Sequence, residues 1–143
     1  KGNRFMNNYS VIRFDTVQAL LDAQFAWDDL WWRSECTWPT LRAALVAQWV
    51  EQFAPQRQFE ALVVEQQGTW LAALPLLRRR YFALPVGVLT SNPWAPCGEL
   101  LLDSTCEAPA VIDALLGALR SEGGLLWLDG VCVHSTRWQQ FAQ

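Results

Sequence analysis

The N-terminal part of the chain has the pattern of one strand followed by two helices. Apolar and polar residues alternate over Tyr9–Phe14, which predicts a strand. Thr16 is suited to cap the helix that follows, and we expect this helix to run from 17 to about 33. Its apolar positions partly follow helical spacing, and they are Leu20, Leu21, Phe25 and Trp32. These positions form the predicted core face of the first helix.

A second helix is predicted to begin at Pro39, because proline fits the first turn of a helix. Pro55 stops this helix, so it runs to about Phe53. An apolar residue recurs every four positions along it, at Leu41, Leu45, Trp49 and Phe53. This spacing predicts a stripe that faces the core.

The middle of the chain is predicted to be extended. The apolar segments Phe59–Glu65 and Thr69–Leu77 are joined by a short polar turn that contains a glycine, Gln66–Gly68. This arrangement is typical of a β-hairpin. Two further strands are predicted on either side of a loop rich in proline and asparagine: strand Tyr81–Leu89, loop Thr90–Gly98 and strand Glu99–Leu102.

The C-terminal part alternates between helix and strand. A helix over Pro109–Arg120 is predicted to end at Gly123 and Gly124. The segment Leu125–Val133 is apolar on both faces, which predicts a strand in the interior of a sheet. Ser135 is suited to cap one more helix. The order β-α-α-β-β-β-α-β-(α) predicts a mixed α/β (α+β) sheet, antiparallel first and parallel at its end.

Composition indicates a folded domain with a partly covered surface. Of the 143 residues, 52% are hydrophobic, 17% are charged and nine are tryptophan. The apolar share is sufficient for a core, and the length corresponds to one domain or to part of a larger one. Few charges and many large apolar side chains suggest that something else covers part of the surface. The formal net charge of −3 argues against nucleic acid as a partner.

The cysteines predict free thiols in a reducing compartment. Cys36, Cys97, Cys106 and Cys132 include no Cys-x-x-Cys pair, and the single histidine, His134, is not at zinc-finger spacing. We therefore expect no metal site and a cytoplasmic location. No apolar run reaches the roughly 20 residues of a membrane helix, and no signal-peptide pattern is present. We expect no membrane span.

Three consecutive arginines, Arg78, Arg79 and Arg80, end the apolar run WLAALPLLRRR. Guanidinium groups bind phosphates and carboxylates, so this run is a candidate anion clamp. Only Arg78 and Arg80 can share a face, because neighbouring strand residues point to opposite sides. These two are therefore candidate substrate-binding residues, and the alternative is the solvated end of a strand. Pro75 indicates a bulge or an edge position, since it cannot donate to a strand ladder.

Two further side chains are candidates for chemistry or binding. His134 follows the predicted strand Leu125–Val133, and ligands of open α/β sheets gather at such strand ends. It is the candidate catalytic residue, as a general base, with a plain loop histidine as the alternative. Trp94 lies in a proline-bounded loop and is a candidate for stacking on a sugar or an acyl group. The alternative for Trp94 is a side chain folded back onto the core.

The order of elements resembles the first two-thirds of the GNAT-type N-acetyltransferase fold. The segments FAWDDLWWRSE, WVEQFAP, FEALVVEQQGTWLAALPLLRRR and GLLWLDGVCVHS are similar to the N-terminal half of the CelD/BcsL-type acetyltransferase-like family, which is associated with cellulose biosynthesis. Members of this family resemble a tandem of two GNAT-like halves. The resemblance implies that residues 10–143 are a GNAT-like N-terminal half-domain without the final strands of the sheet. We interpret residues 1–9 as a leader, in which 1–5 precede a natural start at Met6.

The segment Asp103–Ala110, DSTCEAPA, departs from the family pattern. The matching loop of an active GNAT domain carries glycines that let backbone amides approach the coenzyme A pyrophosphate. Here there is no glycine, Asp103 and Glu107 would repel phosphate, and Pro109 lacks an N–H. The resemblance therefore implies no cofactor in this half, with acetyl-CoA or another acyl-CoA held by the missing C-terminal half.

The expected function is to support the acceptor cleft of an acyltransferase, without activity in isolation. An alternative is a binding or assembly module that forms a homodimer through the open sheet edge at Leu125–Val133. A free-standing small acetyltransferase is a third possibility, and the glycine-free loop opposes it.

Overall fold

A computed structural model describes residues 8–95, 97–121 and 125–143. The helices are α1 (Val17–Asp22), α2 (Gln24–Arg33), α3 (Ala43–Phe53), α4 (Ala108–Ser121) and α5 (Thr136–Phe141), with a 3-10 turn at Pro39–Leu41. The strands are β1 (Ser10–Phe14), β2 (Gln58–Gln66), β3 (Thr69–Tyr81), β4 (Leu84–Leu89), β5 (Leu101–Leu102) and β6 (Leu125–Trp127). The leader up to Met6 and the predicted helix end at Gly123 and Gly124 lie outside the described residues.

The strands form one mixed sheet in the order β1-β2-β3-β4-β6, with β5 paired to β3. All pairs are antiparallel except β4 with β6, which are parallel. The parallel pair requires a crossover, and α4 lies in that crossover. The predicted fold class, a mixed α/β sheet that becomes parallel at its end, is confirmed.

Strand β3 is the centre of the sheet, and its partner on one side is interrupted. Leu76 pairs with Leu89 of β4, and Ala73 pairs with Leu101 of β5. Pro75 lies opposite the gap between these two short strands, where no neighbour requires an N–H donor. The expectation of a bulge was wrong, whereas Pro75 does occupy a local edge position, since it has no ladder partner on this side of β3.

Two apolar cores cover the two faces of the sheet. The first face carries α1, α2 and α3, and its strand residues include Ala61 and Leu77. The second face carries α4 and α5, and its strand residues include Leu62, Leu74 and Leu76. The alternation of side chains along β2 and β3 separates these two sets, since successive strand residues point to opposite sides.

The first long helix of the sequence prediction is two helices, because the chain breaks at Ala23, where φ is −99° and ψ is 14°. Trp27 and Leu30 are buried together with Leu20, because spacings of seven and ten residues return to the same side of a helix, whereas Phe25 and Trp32 fall on the other side. Phe25 is 84% exposed and Trp32 is 73% exposed. The predicted stripe was wrong at these two positions.

The four-residue stripe of the second helix is also only half right. Leu41 and Trp49 are buried, whereas Leu45 and Phe53 are exposed at 38% and 55%. An α-helix has 3.6 residues per turn, so residues spaced exactly four apart move gradually around its surface and leave the core face. The core face of α3 consists of Ala43, Val46, Ala47, Trp49 and Val50.

The predicted interior strand Leu125–Val133 is wrong in length and position. Strand β6 ends at Trp127 and lies at the edge of the sheet, with Leu125 58% exposed and Trp127 62% exposed. The chain leaves the sheet at Gly130, whose φ of 72° is in the left-handed region. Ser135 precedes α5, but its hydroxyl donates to the Cys132 carbonyl and makes no cap bond to the helix.

Trp27 joins the helices of the first face. Its side chain is fully buried, and its indole Nε1–H donates to the Leu41 carbonyl at 2.8 Å. This bond connects α2 to the 3-10 turn that precedes α3. An indole buried at such a position contributes both apolar area and one satisfied polar group.

Replacement of Trp27 with Phe should destabilise the fold by about 2–3 kcal/mol, because it leaves a small cavity and removes the donor to Leu41. Urea unfolding measures this change. The matched control is Trp32→Phe in the same helix, which should change stability by less than about 0.5 kcal/mol because that side chain is exposed. Equal effects of the two substitutions would contradict the assignment of the core face.

Candidate functional site

Arg78 is neutralised within the protein. Its Nε donates to Oε2 of Glu60 at 2.5 Å, and Arg13 approaches Oε1 of the same carboxylate at 3.3 Å. Glu60 is 3% exposed, and strand register places all three side chains on the second face. A buried carboxylate needs such partners, so the geometry gives Arg78 a structural role.

The other sequence candidates are separate from one another. Arg80 is exposed on the second face, near Arg13 and Arg78. Trp94 is 92% exposed at the tip of its loop. His134 is exposed in the turn before α5. The structure brings no two of Arg80, Trp94 and His134 into one site among the described residues, and their functional roles stay predictions.

A cleft of about 770 Å³ opens on the first face of the sheet. It lies between the end of α3, the strands β3, β4 and β6, and the loop that follows β4. The aromatic and charged residues around it are Trp38, Trp49, Phe53, Arg57, Arg79, Tyr81, Glu99, Trp127 and Asp129. Its size is typical of sites for small molecules.

Aromatic rings form two walls of the cleft. Tyr81 and Trp127 stack with ring centroids 6.2 Å apart, and Trp49 and Phe53 are tilted at 5.5 Å. Trp49 is buried, yet its indole Nε1 has no hydrogen-bond partner among the described residues. The cleft therefore offers apolar aromatic faces to a ligand.

The charges around the cleft are two arginines and two carboxylates. Glu99 is buried and already engaged, since Trp138 donates to it at 2.5 Å and Arg137 pairs with it at 3.2 Å. Burial lowers the pKa of Arg137, but the hydrogen bond and charge of Glu99 outweigh burial and raise it. Asp129 is exposed at the rim.

Arg57 and Arg79 line the cleft, and neither forms an ion pair with a carboxylate among the described residues. Desolvation by burial lowers the pKa of Arg57, and the neighbouring charge of Arg79 lowers it further. The sequence analysis selected Arg78 and Arg80 because they share a face. The alternation that excluded Arg79 is also the signal that places it on the opposite face, towards the cleft.

An ion pair with Arg33 of α2 holds the loop between β5 and α4 in a closed conformation. The Arg33 guanidinium binds the Asp103 carboxylate and also donates to the Trp70 carbonyl at 2.9 Å. Asp103 is 5% exposed. Four consecutive loop amides donate within the protein: Asp103 N to Leu71 O (2.8 Å), Ser104 N to Arg33 O (3.0 Å), Thr105 N to Asp103 Oδ1 (2.8 Å) and Cys106 N to Asp103 O (3.3 Å).

These contacts do not fit a pyrophosphate. A phosphate-binding loop presents free N–H groups towards the ligand at the start of a helix. Here the amides of 103–106 already have acceptors, and the carboxylates of Asp103 and Glu107 lie in the same loop. The amides of 103–106 are therefore engaged in contacts that hold α2 against the sheet, and they are not free to bind the phosphates of coenzyme A.

The described residues offer no reactive thiol inside the core and no metal centre. Burial raises the pKa of Cys36, Cys97 and Cys106, which keeps these thiols protonated. No group of three or more His, Cys, Asp or Glu suited to a metal ion occurs within 8–95, 97–121 and 125–143. In the same part of the chain, every helix is too short or too polar to cross a membrane.

Replacement of Asp103 with Ala should lower stability by about 2–4 kcal/mol, because it leaves the partly buried Arg33 guanidinium without its inner partner. Thermal unfolding followed by circular dichroism measures the loss. Asp29→Ala is the matched control, since Asp29 binds the same guanidinium at 2.9 Å from an exposed position. The control should lose less than about 0.5 kcal/mol. A loss as large for Asp29 as for Asp103 would contradict the structural role of the closed loop.

The sequence matches no family model and no curated protein sequence. The structure is similar to that of an aminoglycoside acetyltransferase from an uncultured soil metagenomic sample in complex with sisomicin, with a TM-score of 0.51 and 11% identity over 95% of this chain and 86% of that chain. A structure of that enzyme in complex with trehalose gives a TM-score of 0.48 and 10% identity over 92% of this chain and 83% of that chain. At such identity the first similarity shows the fold alone. The chain therefore has an acetyltransferase-like fold.

Proposed function

We propose that this chain is the N-terminal, GNAT-like half of an acyl-CoA-dependent acyltransferase of the CelD/BcsL type. In this proposal it forms one wall of the acceptor cleft, and a C-terminal half holds the acyl-CoA. The reaction is transfer of an acyl group to an amine or a hydroxyl of an acceptor. The isolated chain is inactive because it lacks a cofactor site of its own.

The closed loop before α4 is the observation that carries the proposal. An acetyltransferase-like fold uses this loop for the cofactor. Here Asp103 of the loop is paired with Arg33, and four backbone N–H groups of the loop donate hydrogen bonds within the protein. Opening the loop would cost the ion pair and leave Arg33 partly buried and unpaired. A domain with this loop needs another chain segment to supply the acyl donor.

The open cleft on the first face supports the acceptor role. It is lined by aromatic rings and by arginine and aspartate side chains, and it lies on the face opposite α4. Small-molecule sites combine apolar walls with a few polar groups in this way. Its position at the edge strand β6 leaves it accessible to a second half-domain.

Acetyl-CoA at millimolar concentration should not stabilise the purified chain, and calorimetry should give no saturable heat. A ligand that binds only the folded state at about a hundred times its Kd adds roughly 2.7 kcal/mol, which is a shift of several degrees in Tm. Pantetheine, which lacks the pyrophosphate, is the control ligand. A saturable shift with acetyl-CoA and none with pantetheine would mean that the chain recognises the phosphates, and the proposal would fail.

The alternative of an assembly module has an observation in its favour, an exposed apolar patch at one end of the sheet. Its members and their exposed fractions are Tyr81 (54%), Phe82 (93%), Leu84 (56%), Leu125 (58%) and Trp127 (62%). Phe82 and Ala83 form the β3–β4 turn with φ of 47° and 71°, a conformation that side chains other than glycine rarely adopt. Beside this strained turn, β6 presents an unpaired edge.

If the patch is a homodimer interface, light scattering should report a dimer that Leu125→Lys converts to a monomer, because a lysine on an edge strand opposes strand pairing. Trp94→Ser is the control, since Trp94 is a large apolar side chain that is 92% exposed but lies in the loop after β4. A monomer for the unsubstituted chain at high concentration would eliminate the alternative.

A further inference from the structure

Two arginines, Arg57 and Arg79, lie near each other at the cleft on the first face. Gln58 of β2 pairs with Arg78 of β3. Arg57 immediately precedes β2, and burial lowers the pKa of its guanidinium, which the charge of Arg79 lowers further. Both residues line the cleft. Like charges near each other repel, so this pair has an unfavourable arrangement in the absence of an anion.

Neither guanidinium has a carboxylate partner within the described part of the chain. The ion pairs of the described residues use Arg13, Arg33, Arg42, Arg78 and Arg137. On the opposite face, the equivalent crowding of Arg13 and Arg78 is resolved by Glu60 between them. The protein thus has one arginine pair that shares the carboxylate of Glu60, and a second pair that has no carboxylate among the described residues.

The surroundings of the second pair are those of a binding site. Trp49 and Phe53 form one wall of the cleft, and Tyr81 and Trp127 form another. Guanidinium groups match the geometry of carboxylate and phosphate.

We propose that the cleft binds an anionic acceptor, with Arg57 and Arg79 holding its carboxylate or phosphate and the aromatic walls holding its ring. This inference rests on the proposed function, because it names the chemical class of the acceptor. An acidic saccharide has both features. The side chains that oppose such a ligand are Asp129, which is exposed at the rim, and Glu99, whose charge Arg137 already balances.

The same charges disfavour a polycationic acceptor such as an aminoglycoside. A cationic ligand in this cleft would meet two guanidinium groups and only one carboxylate without a buried cation partner, Asp129. The similarity in fold to an aminoglycoside acetyltransferase therefore does not extend to the charge of the acceptor.

Three sugars of matched size test the inference: glucuronate, glucose and glucosamine, with glucose 6-phosphate as the phosphate counterpart. Binding is followed by the NMR shifts of the tryptophan indole N–H groups. Glucuronate or glucose 6-phosphate should bind roughly tenfold more tightly than glucose or glucosamine. Arg57→Gln and Arg79→Gln should each weaken this binding about fivefold or more, and added salt should weaken it as well.

Arg80→Gln is the matched control, because it removes the same charge from the same strand on the opposite face. It should leave the affinity within about twofold. The two cleft substitutions should also leave Tm unchanged or raise it, since each removes a like-charge repulsion. A decrease in Tm would mean that the arginines are structural and would overturn the inference.

Three other results would overturn it. One is binding of glucose or glucosamine as tightly as the acidic sugars, another is an equal loss for Arg80→Gln, and the third is no saturable binding of either acidic sugar at about 50 mM. Failure of the proposed function has a different signature. Acetyl-CoA binding that survives Arg79→Gln would place the phosphates at the loop before α4, whereas the sugar results test only the cleft.

Discussion

The rest of the structure depends on the ion pair between Arg33 and Asp103. Arg33 ends α2, and Asp103 begins the loop between β5 and α4, so the pair holds the helices of the first face to the start of the crossover. The same guanidinium binds the Trp70 carbonyl at the start of β3. One partly buried cation thereby fixes three elements, and its carboxylate partner orders the loop amides around itself.

This constraint makes the two sides of the molecule different. The loop before α4 is committed to internal contacts, while the first face of the sheet keeps an open, aromatic cleft. The arginines show the same separation. Arg78 forms an ion pair with Glu60 inside the fold. Arg79, one residue later, faces the cleft without a carboxylate partner among the described residues. Strand alternation alone produces this difference.

The sequence predicts the sheet well, because the alternation of apolar and polar residues and the residues at turns determine structure over short stretches of chain. The hairpin turn forms at Gln67 and Gly68, and Thr16 caps α1 as its sequence position suggests. Helix faces were predicted less well, because apolar residues lie on more than one side of the first helices, and packing against the sheet buries Leu20, Trp27 and Leu30 and leaves Phe25 and Trp32 exposed. The edge position of β6 depends on which strand it finds as a partner, a tertiary property that the apolar run Leu125–Val133 does not encode. For the same reason the glycine-free loop was visible in the sequence, but its partner Arg33, about seventy residues away, was not.

The most direct test of the account is amide hydrogen exchange of the loop at 103–106 in the presence and absence of acetyl-CoA. We predict slow exchange of the Ser104, Thr105 and Cys106 amides in the free chain, comparable to the neighbouring strand, with no change when acetyl-CoA is added. Fast exchange in the free chain that becomes slow with acetyl-CoA would show that these amides lack hydrogen bonds in the free chain and donate to a phosphate when acetyl-CoA binds. That result would contradict the closed loop and, with it, the proposal that this chain forms the acceptor side of an acyltransferase.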